Sequence, residues 1–104
     1  MAKFTIDTKD GLKQVEAIPF RFKSPAWLRP FRFITHLTDN DLPEPGYTVT
    51  DIKTGRSVAS GCDSRKEAKK ACHERLIVAG RAAFLARRRE FAIGHNNQAQ
   101  TPPP

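Results

Sequence analysis

Apolar and polar residues alternate from Lys3 to Asp7, through Phe4 and Ile6, and again from Leu12 to Ile18, through Val15 and Ala17. A period of two puts alternate side chains on one face of a strand, and Asp10-Gly11 between the two pieces is a turn signal, so they predict a hairpin. From Pro19 to Phe33 the pattern changes: five aromatics interleave with four cations and three prolines. Proline fixes its own φ and disfavours helix in the residue before it, so this run is predicted to be extended or turned. Alternation returns from Phe31 to Leu37 as a strand, and Thr38 to Gly46, rich in Asp, Asn, Pro and Gly, reads as a loop.

Tyr47 to Ile52 and Arg56 to Ser60 predict a second hairpin around Lys53-Thr54-Gly55, with Gly55 at a positive φ and Gly61 ending the return strand. The period then lengthens. Ser64-Arg65-Lys66-Glu67 matches a capping box, in which Ser and Glu satisfy orphan backbone donors at a helix start. Ala68, Cys72, Leu76, Ala79, Ala83 and Ala86 follow at helical spacing as a small-residue stripe. Gly80 falls inside that stripe and weakens a helix by about 1 kcal/mol relative to alanine, enough to soften or break it. Gly94, Asn96 and Asn97 are predicted to end the helix.

A β-rich first half, a hairpin and then a helix predict an α+β fold: a small antiparallel sheet of β-hairpins packed against a C-terminal helix. Residues 1–93 form one predicted domain, and the Pro/Gln-rich tail 94–104, unable to bury apolar surface, is predicted to be disordered.

Composition bounds the function. The 104 residues suit one domain, and 38% apolar residues suffice for one sheet with one or two helices. Eighteen Lys+Arg against eleven Asp+Glu give a net charge of +7, which favours polyanions: nucleic acid, an anionic surface or an acidic protein. The two cysteines form no disulfide framework, since Cys62 and Cys72 would lie roughly 15 Å apart along a helix. Met1 to Lys13 is polar and carries no secretory pattern, and the apolar stretch Leu76 to Ala79 is too short to span a bilayer. The expected setting is therefore the cytoplasm, with reduced thiols and no membrane association.

Catalytic signals are not found. His36, His73 and His95 are scattered, and adjacent Cys72 and His73 point to different sides of a helix, which rules against a metal site. Asp39, Asp41 and Glu44 cluster without the ligand pattern of a calcium loop. No phosphate-cradling glycine loop or nucleophile elbow occurs, so neither enzymatic activity nor a cofactor is expected.

Three cationic or aromatic features remain. Lys66, Lys69, Lys70 and His73 share one helical face, with Arg65 beside them at the positive end of the helix dipole. Trp27, flanked by Arg21, Arg29 and Arg32, suits stacking on bases or anchoring a protein interface, whereas Phe20, Phe22, Phe31 and Phe33 suit a core with cations outside. Arg87-Arg88-Arg89, with Arg75 and Arg81, extends the positive charge along the C-terminal helix.

Ser64-Arg65-Lys66-Glu67-Ala68-Lys69-Lys70-Ala71, after a hairpin and Gly61, resembles the C-terminal half of a double-stranded RNA-binding domain, over about Tyr47 to Leu76. That resemblance implies phosphate contacts from Arg65, Lys66 and Lys69. The first half departs from it, having neither the N-terminal amphipathic helix nor the Gly-Pro-x-His loop. In length, charge, the Met1-to-Leu37 opening and the basic C-terminal helix, the whole chain also resembles the anti-RecBCD accessory proteins of lambdoid bacteriophages. This second resemblance implies a partner, a host DNA-processing nuclease-helicase complex, bound through the Trp27 region and a helix face. Direct contact with DNA or RNA phosphates is the alternative. Neither resemblance fixes an oligomeric state.

Overall fold

The computed structural model describes residues 1–8, 11–37 and 46–91, with the backbone alone for Phe91. Five strands run in sequence, β1 (Ala2–Thr8), β2 (Gly11–Phe20), β3 (Phe33–Leu37), β4 (Tyr47–Asp51) and β5 (Ser57–Cys62), followed by α1 (Arg65–Ala79) and α2 (Arg81–Phe91). Each strand pairs antiparallel with the next, in the order β1-β2-β3-β4-β5. The predicted α+β architecture is the observed one, with a helix pair in place of a single helix. The Thr38–Gly46 loop (Gly46 excepted), with its Asp39/Asp41/Glu44 cluster, the helix end at Gly94 and the tail lie outside the described residues.

The alternation in β3 sorts two cores. Phe33 and its neighbours Val49 and Ala59 pack under α1 through Ala68, Cys72 and Leu76, joined by Leu28 and Phe84. Ile34 points the other way and packs with Ile6 and Ala17, with Phe4, Val15 and Ile52 around them. Only Ile18 to Phe20 of the long β2 pair with β3, and the rest pairs with β1. The β1–β2 hairpin thus curls over the sheet face that the helices leave open. Its end is fastened to the β4–β5 turn, where the Asp7 N–H donates to the Gly55 carbonyl at 2.7 Å and Asp7 pairs with Arg56 at 3.5 Å. Gly55 has φ 68°, as the turn requires.

β3 begins later than the pattern suggested. The Arg29 N–H donates to the Ala26 carbonyl, closing a 3-10 turn over Ala26–Leu28, the Phe31 N–H then donates to the Leu28 carbonyl, and β3 starts only at Phe33. The return strand β5 runs past Gly61, which sits at φ 69° inside it.

The helix starts where the capping box placed it: the Ser64 Oγ accepts the Glu67 N–H at 3.1 Å, a cap of about 1 kcal/mol. Gly80, at φ 86°, ends α1, and its carbonyl accepts the Phe84 N–H to begin α2. This break overturns the second half of the small-residue stripe. Ala68, Cys72 and Leu76 are buried as expected, but Ala79, Ala83 and Ala86 are exposed. The glycine resets the helical phase, and Phe84 becomes the residue that α2 buries.

His36 is a polar member of the second face, 3% exposed. Its Nδ1 donates to the Leu37 carbonyl at 2.8 Å, which leaves Nε2 to accept the Thr50 hydroxyl at 2.7 Å. This arrangement suits a neutral imidazole, and burial lowers its pKa from the ordinary 6.5 against the opposing pull of the Leu37 carbonyl. Below pH 6.5 the unfolded chain takes up a proton that the folded one resists, so stability is full above that pH and declines as pH falls towards the folded value. The melting temperature is expected to drop as pH is lowered from about 7.5 to about 5.5, and His36→Gln is expected to flatten that drop. Equal pH slopes for the two proteins in thermal melts would refute the assignment.

Candidate nucleic-acid interface

The N-terminal half of α1 places Lys66, Lys69, Lys70 and His73 on one flank, because residues three and four apart overlie one another. Opposite them runs the segment after β2. Phe20, Arg21, Phe22 and Lys23 line an open groove together with Lys69, Lys70, His73 and Glu74. The groove thus draws four cations from two parts of the chain against a single carboxylate.

Two contacts hold its walls together. The His73 imidazole bonds the Ser24 carbonyl at 2.8 Å, and since a carbonyl only accepts, Nε2 carries the proton. The same ring packs on Phe22, centroids 5.2 Å apart. Lys69 lies with its Nζ 4.6 Å from the centre of the Phe20 ring, a cation–π contact between two half-buried side chains worth roughly 0.5–1 kcal/mol or somewhat more. Its ammonium is therefore held at the groove wall rather than left free in solvent. Lys66 and Lys70 are exposed. Like charges at this spacing oppose the helix by a few tenths of a kcal/mol per pair, a cost that a bound anion removes.

Arg65 stands apart from this flank. Its guanidinium lies 4.9 Å from the Tyr47 ring centre, and one nitrogen reaches the Met1 Sδ at 4.0 Å. Of the six residues singled out in the sequence, Lys69 and Lys70 line the groove, Lys66 lies on the same flank, and Arg65 sits at the helix start. Trp27 is half-buried in the 3-10 turn, its ring 6.0 Å from that of Phe84 and packed on the core. Arg29 is exposed, and its Nε donates to the Lys23 carbonyl at 2.8 Å, bracing the segment that carries Arg21 and Lys23. In the sequence Arg21 reads only as a neighbour of Trp27, and Lys23 only as one of the four cations of the aromatic run. Their spacing along the chain gives no hint of their meeting α1, since the His73–Ser24 contact spans 49 residues.

Cys72 offers no nucleophile. Burial first, and the Asp51 carboxylate second, push its thiol up to about 12, with Arg75 pulling the other way. Both cysteines are free. Among the described residues no helix is long and apolar enough to cross a membrane. Comparison with protein-family models, curated proteins and solved structures finds no match to this chain.

Proposed function

We propose that the protein is a non-catalytic nucleic-acid-binding protein that grips the phosphate backbone along the Lys66/Lys69/Lys70 flank of α1. The observation that carries this reading is the convergence of Lys69 and Lys70, with Lys66 on the same flank, and of Arg21 and Lys23 on one open groove whose lining holds a single carboxylate, Glu74. A row of cations on an open surface suits a repeating anion. It has no feature that distinguishes one base from another, so binding is independent of sequence. The β4-β5-α1 order supports the reading further, because it is the part of the chain, about Tyr47 to Leu76, that resembles the C-terminal half of a double-stranded RNA-binding domain. The first half of the chain lacks the N-terminal helix and the Gly-Pro-x-His loop with which that domain makes its other groove contacts, so selection for A-form RNA is not part of the proposal.

Fluorescence anisotropy with labelled 20-base-pair DNA and RNA duplexes tests this. Both are expected to bind with similar affinity, in the non-specific range of about 10⁻⁴ to 10⁻⁶ M at physiological salt. Lys66→Gln and Lys70→Gln, both at exposed positions, should each weaken binding and leave the melting temperature unchanged. No binding to either duplex at low salt would overturn the proposal. The partner implied by the phage resemblance, a nuclease-helicase complex retrieved from lysate after nuclease digestion, would then take its place.

A further inference from the structure

The break at Gly80 turns α2 away from the line of α1, and the elbow closes with β5 around a second hollow. This cleft, about 340 Å³, is lined by Val58, Leu76, Ala79, Ala83 and Phe84 on its apolar side. Its volume lies at the small end of ligand sites, which run from roughly 300 to 1,000 Å³. The alanines explain the space: Ala79 and Ala83 fell on the stripe that the helix break left exposed.

Arginines make the rim. Arg75 donates from Nη1 to the Val58 carbonyl at 2.8 Å, which orients the guanidinium while leaving its other N–H groups to a ligand. Arg87 also lines the cleft and is exposed. Among the described residues neither has an acidic partner. The charges deeper in are already matched, Arg88 by Asp51 at 3.0 Å and Arg56 by Asp7 at 3.5 Å. The cleft therefore presents two uncompensated guanidinium groups above an apolar floor.

We propose that this elbow cleft binds a small organic anion, one carboxylate or phosphate group on an apolar body. Guanidinium groups match the planar or tetrahedral oxyanion by paired N–H donors, better than an ammonium does. The apolar floor takes the body, which a bare inorganic ion does not supply. The site is separate from the phosphate-binding flank. Six residues at about 100° each set Arg75 roughly 120° around α1 from Lys69, across the buried stripe.

Amide chemical-shift titration of the ¹⁵N-labelled full chain tests the proposal, with phenyl phosphate, benzoate, inorganic phosphate and benzyl alcohol as probes. Phenyl phosphate or benzoate is expected to shift Leu76, Ala79, Ala83 and Arg87 saturably, with Kd about 1 mM or tighter for a ligand of this size. Whichever of the two binds more tightly identifies the preferred oxyanion. Inorganic phosphate and benzyl alcohol, each lacking one half of the chemistry, should bind at least about tenfold more weakly, a loss of one factor of ten in the equilibrium constant. Arg87→Gln should weaken the best probe severalfold. Ala83→Leu, which fills the floor and keeps the charge, should abolish its binding. Shifts confined to Lys66–His73, equal binding of the neutral alcohol, unchanged binding by both variants, or no saturable shift would each overturn the proposal.

Discussion

Asp51→Ala is expected to destabilise the protein by about 3–5 kcal/mol, because it leaves a largely buried guanidinium without its counter-charge. The Asp51 side chain is 3% exposed and that of Arg88 14%, with 3.0 Å between Oδ2 and Nε. The carboxylate also accepts the Lys53 N–H at 3.2 Å and the Thr54 hydroxyl at 3.4 Å, so it organises the β4–β5 turn as well. Arg88 in turn lies over two rings, 4.5 Å from the Phe31 centre and 5.4 Å from that of Phe84. One carboxylate thus ties together the turn, α2 and the aromatic layer. Arg88→Met keeps much of the apolar stem and leaves Asp51 two donors, so its cost should be clearly smaller. Urea unfolding of both variants and of the double variant reads the coupling directly. A loss below about 1 kcal/mol for Asp51→Ala, the value typical of a solvent-exposed pair, would show that the pair contributes little.

Phe84→Ala is expected to cost a similar amount, about 3–5 kcal/mol, by emptying the socket that docks α2. Phe84 is 7% exposed and meets Phe31 at 5.0 Å, Trp27 at 6.0 Å and Phe33 at 6.0 Å between centroids. Aromatic pairs of this kind add about 0.5–1.5 kcal/mol each beyond their buried area, so the ring is the main anchor of its helix. The variant should lose hydrogen-exchange protection in α2 before α1, and Trp27 fluorescence should shift to the red as the indole gains water. Protection of α2 equal to the wild type would contradict the anchor role. A domain of this size has roughly 5–15 kcal/mol in total, so either change removes a large share of it.

The features read correctly from the sequence are those decided within a few residues. The Tyr47–Ser60 hairpin follows from a period of two around Gly55, and the start of α1 from Ser64 and Glu67. Burial of Ala68, Cys72 and Leu76 follows from one unbroken helical phase. Extending that phase beyond Gly80 failed, since periodicity carries no information past a residue that resets it. Arg88 was read as one of three surface arginines, because its partner is 37 residues away and nothing local marks it. Lys69 over Phe20 and Arg88 over Phe31 fulfil the expectation of aromatic core residues with cations outside, but the cations come from the helices rather than from adjacent chain positions. The lysine flank was legible from helical spacing alone. Its second wall, Arg21 and Lys23, was not, because it depends on the fold bringing β2's exit against α1. Trp27 was singled out for its flanking arginines, but it sits in a turn between Pro25 and Pro30 that packs the partly buried ring against the core.

The salt dependence of duplex binding tests the central claim most directly. The slope of log K against log salt is about −0.9 per phosphate neutralised on B-DNA. Replacing Lys66, Lys69 and Lys70 together with glutamine should flatten that slope by about 2.7, so that raising salt from about 50 to about 200 mM weakens the variant about 40-fold less than the wild type. Circular dichroism of the triple variant should show the fold unchanged. Identical slopes for the two proteins would mean that the α1 flank does not meet the phosphates.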